Sequence, residues 1–184
     1  MFMTISGLVI AAIFIFDIYA VYILWKTKFF KTAPTVPSHG SAKKKVQELV
    51  AKEIKNGKGE VKEVADLGAG MGTLIAKGAK QFPDVKFTAY EWDGLFCNFM
   101  KIRFWRRKNV VVKKADIMKI KATADVLTVF LMTKQMTQLE QKIKKENWKG
   151  KVLIANHFPL PNTKPTEVHN VARLAKWDVF VYRF

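Results

Sequence analysis

The chain is poor in the residues that build covalent or metal-held scaffolds. Of its 184 residues only one is cysteine, Cys97, and three are histidine, His39, His157 and His169. A disulfide framework and a cysteine-rich zinc site are therefore excluded, and the histidines show no metal-ligand spacing. Acids are scarce too: 15 Asp and Glu stand against 32 Lys and Arg, a formal net charge of +17. Such an excess calls for an anionic partner, whether headgroups, nucleic acid or an acidic protein. Internal repeats and low-complexity tracts are absent. Apolar side chains are not scarce. At 49% of the residues they rule out a disordered polycation and suffice for a buried core. The length fits one domain with a short appendage.

The longest apolar run is Ile5 to Trp25, ISGLVIAAIFIFDIYAVYILW, with Asp17 as its one ionisable side chain. About 20 apolar residues in a helix span the hydrocarbon layer. Tyr22 and Trp25 suit the interfacial belt. Lys26, Lys28 and Lys31 follow at once and no Lys or Arg precedes, so the C-terminal side is expected in the cytoplasm. A cleaved signal peptide would want a basic start, a shorter apolar run and a small-residue cleavage site, so a retained single-pass anchor over residues 1–31 is expected. The Arg-rich amphipathic character of a transit peptide is missing as well. That favours a prokaryotic cytoplasmic membrane over the mitochondrial inner membrane. Asp17 is costly in lipid, by roughly 2.5–3.5 kcal/mol at mid-membrane; its role stays open between pairing with a partner helix and being outweighed by its neighbours. Residues 32–42, TAPTVPSHGSA, read as a linker.

Residues 43–184 alternate helix and strand. Helical spacing covers Lys43–Ile54, Thr73–Gln81, Gly94–Lys108 and Gln135–Glu146; the third combines an apolar face with a very basic one. Strand patterns cover Val61–Leu67, Val85–Tyr90, Val110–Lys113, Val126–Leu131, Lys151–Ala155 and Trp177–Phe184. The alternation predicts an α/β fold, a doubly wound sheet with helices on both faces. Cys97, among Phe96, Phe99 and Met100, reads as a small core residue.

The informative stretch is Asp66-Leu67-Gly68-Ala69-Gly70-Met71-Gly72: a strand runs into three glycines at alternate positions and then into a helix. Glycine admits positive φ and close approach of backbone to a ligand. Ligands of open α/β sheets bind beyond the carboxyl ends of strands. Glu91 ends the second strand, 19 residues past Gly72, where a carboxylate can accept both hydroxyls of a ribose. Asp116 follows the third strand and can accept from an exocyclic adenine amine. The G-x-G-x-G spacing differs from the dinucleotide spacing G-x-G-x-x-G, so the weight rests on the loop and the two acids together.

These residues resemble the class I S-adenosylmethionine-dependent methyltransferases, a Rossmann-like fold, over about residues 34–184. The resemblance implies that Asp66 orients the loop near the methionine amino group. Gly68, Ala69, Gly70 and Gly72 would then pass under the methionyl part, Glu91 would hold the ribose, Trp92 would pack on the adenine and Asp116 would take its amine. The segments Asp125–Ile143 and Lys151–Pro161, the final strand, the anchor and the Pro34–Ser38 lead-in look like small membrane-anchored protein lysine methyltransferases. That family includes the mitochondrial enzymes acting on the ADP/ATP carrier and on the ATP synthase c subunit. It more often carries an acid where Met71 stands and a proline near Met132-Thr133-Lys134. The implied function is methyl transfer from S-adenosylmethionine to lysine on a membrane or membrane-associated protein.

No residue presents itself as the catalytic base. The segment Leu131–Gln135 lacks the Asn/Asp-Pro-Pro-aromatic signature of enzymes that methylate amines of nucleic acids. His157, in the turn Asn156-His157-Phe158-Pro159, is a candidate on the substrate side. Lys101, Arg103, Arg106, Arg107 and Lys108, with Phe104 and Trp105 between them, form a basic patch. Lys43–Lys45 form another. Both suit an anionic lipid surface, at about 1 kcal/mol per residue; RNA is the weaker alternative. Two other functions stay open: methylation of a lipid headgroup or RNA, and a non-catalytic basic binding module on the same fold.

Overall fold

The computed structural model describes residues 13, 14, 16–18, 21, 40–172 and 177–184. The chain divides into two compact units, Met1–Val36 and Pro37–Phe184. In the first, Ile13, Phe14, Phe16, Asp17, Ile18 and Val21 are helical and exposed. Among the described residues no helix is long and apolar enough to cross a membrane. Most of the expected anchor, its basic flank and the lead-in up to His39 lie outside the described residues.

The second unit opens with α1 (Gly40–Asn56), whose buried stripe of Ala42, Val46, Leu49, Val50 and Ile54 follows the helical period. The helix takes in Gly40–Ala42, which the sequence assigned to the linker, because Ala42 extends that stripe by one turn and is fully buried. There follow β1 (Glu63–Leu67), α2 (Ile75–Gln81), β2 (Lys86–Glu91), α3 (Gly94–Arg103), β3 (Val110–Lys114), β4 (Val126–Val129), α4 (Thr133–Glu146), β5 (Val152–Asn156), β6 (Glu167–Ala172) and β7 (Trp177–Arg183).

The strands form one sheet in the order β3-β2-β1-β4-β5-β7-β6. The first five are parallel, and β7 runs antiparallel to both β5 and β6. Parallel strands are covered on both faces, which is why β1, β4 and β5 read as near-continuous apolar runs. On one face α1, α2 and α3 pack on Val64, Phe87, Ala89, Val126 and Ile154. On the other, Met136, Leu139 and Ile143 of α4 pack with Leu67, Leu127, Leu153 and Trp148. The expected doubly wound α/β sheet is present, but among the described residues the second face has only one helix. From β3 to β4 and from β5 to β6 the chain crosses as loops, pinning Ala122, Ala124 and Leu160 into that core. Buried Glu140 of α4 ties the second loop down by accepting from Asn162 N at 3.0 Å, Asn162 Nδ2 at 2.9 Å and Thr163 Oγ1 at 2.6 Å. These bonds hold its carboxyl below the usual carboxylate range against the upward push of burial.

Element boundaries differ from the sequence expectation in places. β4 ends at Val129 because no neighbour pairs beyond that residue, releasing Phe130 and Leu131 into a loop. α3 ends at Arg103: Phe104 turns off, and Arg107 N donates to Phe104 O at 2.7 Å. β6 was not foreseen. It is a short edge strand, Glu-Val-His-Asn-Val-Ala, with half-buried or exposed polar side chains and no run of core residues to announce it.

Candidate functional site

Three strand ends meet the glycine loop. Register aligns Leu67 with Tyr90, so Glu91 stands level with Gly68. Both Gly68 N and Ala69 N donate to Tyr90 O, at 2.9 and 3.0 Å. Gly68, Gly70 and Gly72 have φ of 81°, 54° and 70°, a region closed to most side chains. A Cβ at Gly72 would lie 2.6 Å from the Phe104 ring and 3.1 Å from Met100 Sδ; at Gly68 it would lie 3.2 Å from Leu131 Cδ2. The loop is thus wedged between α3 and the segment after β4, and Gln47 of α1 donates to Thr73 O at 3.0 Å just beyond it.

Glu91 is buried and braces this loop. Its Oε2 accepts from Gly70 N at 2.8 Å and its Oε1 from Asp93 N at 2.9 Å. A carboxylate has about four acceptor positions, so two remain for a ligand. Asp93 caps α3 by accepting from Leu95 N at 2.8 Å. Cys97 is buried, as expected, and donates to Glu91 O at 3.3 Å.

Asp66 is the second buried acid. The β1–β4 register sets it beside Thr128, whose hydroxyl donates to Asp66 Oδ1 at 2.8 Å. Its other oxygen, Oδ2, is buried with no partner. Burial pushes its carboxyl up to about 7; the Thr128 bond opposes this and the Glu91 charge adds to it. A buried acceptor without a donor is costly, and a cationic ligand group would relieve it.

The other expected residues sit further out. Trp92 follows Glu91 and is exposed. Asp116, at the end of β3, keeps 49% of its side-chain surface. Its Oδ1 accepts from Met118 N at 3.0 Å, so it caps a local turn and is not part of the buried pair. Beside β3 lies an open groove of about 570 Å³ lined by Tyr90, Lys113, Lys114, Ala115, Ile120, Lys121 and Thr123. It borders the site at Ala115 but contains none of the glycine loop.

Sequence reasoning missed two parts of this region. Thr128 is one; the signal was a polar residue inside an otherwise apolar strand, Val-Leu-Thr-Val. The other is an aromatic cluster beyond the ends of β4, β5 and the start of β7. His157 stacks on Trp177 with centroids 4.1 Å apart and meets Phe158 edge-on at 4.5 Å. Phe130 stacks with Phe158 at 6.3 Å and tilts against Trp177 at 5.8 Å. Trp177 Nε1 donates to Asn156 Oδ1 at 2.9 Å. His157 has φ of 72°, strained for a non-glycine residue, and its buried Nδ1 has no partner. Only His157 of this set was singled out from sequence, since the others come from segments far apart in the chain.

The residues present fit S-adenosylmethionine. Its ammonium matches the orphan oxygen of Asp66, its ribose diol matches the free acceptor positions of Glu91, and the three glycines of the loop leave room for its methionyl part. When bound, the cofactor supplies an electrophilic methyl group on a sulfonium.

Comparisons agree with this chemistry. The RNA methyltransferase of Salinibacter ruber, solved with S-adenosylhomocysteine, superposes with a TM-score of 0.65 at 15% identity, covering 80% of this chain and 92% of that one. The magnesium protoporphyrin IX methyltransferase of Synechocystis, with the same product bound, gives 0.52 at 13% identity, covering 64% of this chain and 56% of that one. Precorrin-6y C5,15-methyltransferase of Geobacter metallireducens gives 0.51 at 12% identity, covering 68% and 65%. These likenesses establish the fold. No curated protein matches the sequence. The family model of the ANTKMT methyltransferase domain matches residues 66–167, from the buried acid that opens the glycine loop to the first residue of β6. With more than half of the chain matched, this protein belongs to the ANTKMT methyltransferase domain family and is an S-adenosylmethionine-dependent methyltransferase.

Proposed function

We propose that the chain is a membrane-anchored protein-lysine N-methyltransferase acting on a membrane or membrane-associated protein. The observation that carries this reading is the family match over residues 66–167. The apolar run Ile5–Trp25 with its lysine flank adds the anchor. In that stretch the described apolar residues Ile13, Phe14, Phe16, Ile18 and Val21 all expose their side chains, as a lipid-facing helix does. The flank puts the domain on the cytoplasmic side, in a prokaryotic membrane by preference.

In this reading Asp66 Oδ2 holds the cofactor ammonium, Glu91 holds the ribose hydroxyls, Trp92 packs on the adenine and Asp116 takes its amine. Gly68, Ala69, Gly70 and Gly72 run beneath the methionyl part. The aromatic cluster of Phe130, Phe158 and Trp177 receives the alkylammonium side chain of the substrate by its ring faces. An ammonium must lose its proton before it attacks a methyl group. Desolvation and the positive field of the basic surface both lower an amine pKa.

Incubating membranes with methyl-labelled cofactor and the full-length protein tests this. The expected result is a labelled protein band whose hydrolysate contains methyl-lysine and which disappears with Gly70→Arg. Label in the lipid extract or in nuclease-sensitive material overturns the protein substrate. Cofactor binding without transfer to any of these pools makes the chain a binding module.

A further inference from the structure

α3 is apolar on two sides. Phe96, Cys97 and Met100, continued by Phe104, face the core and are buried. The opposite stripe is Leu95, Phe99, Ile102 and, just past the helix end, Trp105, at a spacing of three to four residues. These side chains are 62%, 42%, 74% and 73% exposed. A helix buried on one side normally carries polar residues on the other, and clustered exposed apolar side chains mark an interaction surface. The sequence expected only a basic face here; it is basic and greasy at once. Between Asp93 and Asp116 there is no acid, while Lys101, Arg103, Arg106, Arg107 and Lys108 flank the stripe. The Arg106 guanidinium lies over the Trp105 ring at 4.6 Å.

The geometry points to this outer face of α3 as a surface that docks on an anionic lipid bilayer, with Leu95, Phe99, Ile102 and Trp105 entering the headgroup boundary and the flanking cations resting on the phosphates. Deepening the membrane reading above, on which it rests, the inference names the surface and its orientation. The pairing of apolar anchors with a basic rim is what interfacial helices use. Two other occupants suit the face less well. A second copy would bring like charges together. Single-stranded nucleic acid stacks on aromatic rings and has little use for exposed leucine and isoleucine. α3 is also built into the cofactor site: Asp93 at its start shares Glu91, Phe104 at its end backs Gly72, and Arg103 Nη1 donates to Met71 O at 3.0 Å. Docking by this face leaves about one helix diameter, roughly 10 Å, between the headgroups and the cofactor site, so the acceptor lysine lies near the membrane surface.

The test uses the full chain in nanodiscs, with a nitroxide at Ile102→Cys; buried Cys97 is shown to stay unlabelled in the parent chain. A second chain is labelled at Val21→Cys. In discs with about one-third phosphatidylglycerol the label at 102 is expected to gain collisions with oxygen and lose them with a water-soluble nickel chelate. In pure phosphatidylcholine discs it stays nickel-accessible. Arg106→Gln and Arg107→Gln each lower the docked-to-undocked ratio about fivefold. Unchanged nickel access in the anionic discs overturns the inference. So does shielding from both reagents, which signals protein contact, or shielding that appears only with added RNA. The label at 21 separates the two claims. Buried 21 with exposed 102 defeats the docking face alone; exposed 21 with lipid-buried 102 defeats the anchor and keeps the docking face.

Discussion

The two halves of the sheet handle buried polarity in opposite ways. In the half formed by β1, β2 and β3, each oxygen of the acid Glu91 accepts from a backbone donor, and the loop it braces is fixed by three positive-φ glycines. In the half formed by β4, β5 and β7, the strand ends open into a cluster of aromatic rings in which the buried His157 Nδ1 has no donor or acceptor. Asp66, on β1, borders both halves. It takes a hydroxyl bond from β4 and leaves one oxygen open. A rigid half braced by backbone bonds suits a constant ligand such as a cofactor. An apolar, incompletely satisfied half suits a substrate that arrives with its own polar group.

The strongest way to break this contrast is Gly72→Ala. The methyl would strike Phe104, and φ of 70°, free for glycine, is strained for alanine, so a loss of about 3 kcal/mol in urea unfolding is expected. Gly150 also has positive φ, at 76°, but nothing lies within 4 Å of a Cβ there, and Gly150→Ala should cost about 1 kcal/mol. Equal losses would show that the loop is no more tightly wedged than an ordinary turn.

Next comes pH. The Asp66 carboxyl is raised from 3.8 to about 7. Between those values the folded chain holds a proton that the unfolded chain has lost, so stability falls as pH rises through that window. Asp66→Asn should flatten that slope. Cofactor binding should tighten as pH rises toward 7 and release a proton, which titrations in buffers of different ionisation enthalpy would reveal. A pH-independent affinity would mean that the ammonium does not pair with Asp66.

Glu91→Gln turns an acceptor toward backbone N–H groups into a partial donor. Calorimetric titration with S-adenosylhomocysteine should then show a loss of about 2 kcal/mol, or roughly thirtyfold. The smallest expected effect lies in the other half. Phe158→Ala should leave that affinity within about twofold but lower kcat/KM for the methyl acceptor by about fivefold, the worth of one exposed cation–π contact. A drop in cofactor affinity would merge the two halves into one site.

Much of the half that carries the glycine loop was legible in the sequence, because its signals are local. Asp66 to Gly72 is one uninterrupted motif, and Glu91 is marked by the strand it ends. The helical stripe of α1 and the apolar runs of β1, β4 and β5 follow from periodicity alone. Asp116 was placed correctly at a strand end, but the sequence did not show that it would be half exposed and engaged in its own turn. β6 escaped because an edge strand needs no apolar run.

The alternation of strands and helices, the glycine loop and the order of acids behind it follow from local pattern, since each depends on neighbours within a few residues. Folding was needed for Thr128 to meet Asp66 across 62 positions and leave one carboxylate oxygen bare. It alone gathered Phe130, Phe158 and Trp177 around His157 and turned Leu95, Phe99, Ile102 and Trp105 outward. Register and burial are relations between distant segments, and a one-dimensional pattern specifies which residues want burial without specifying which of them find it.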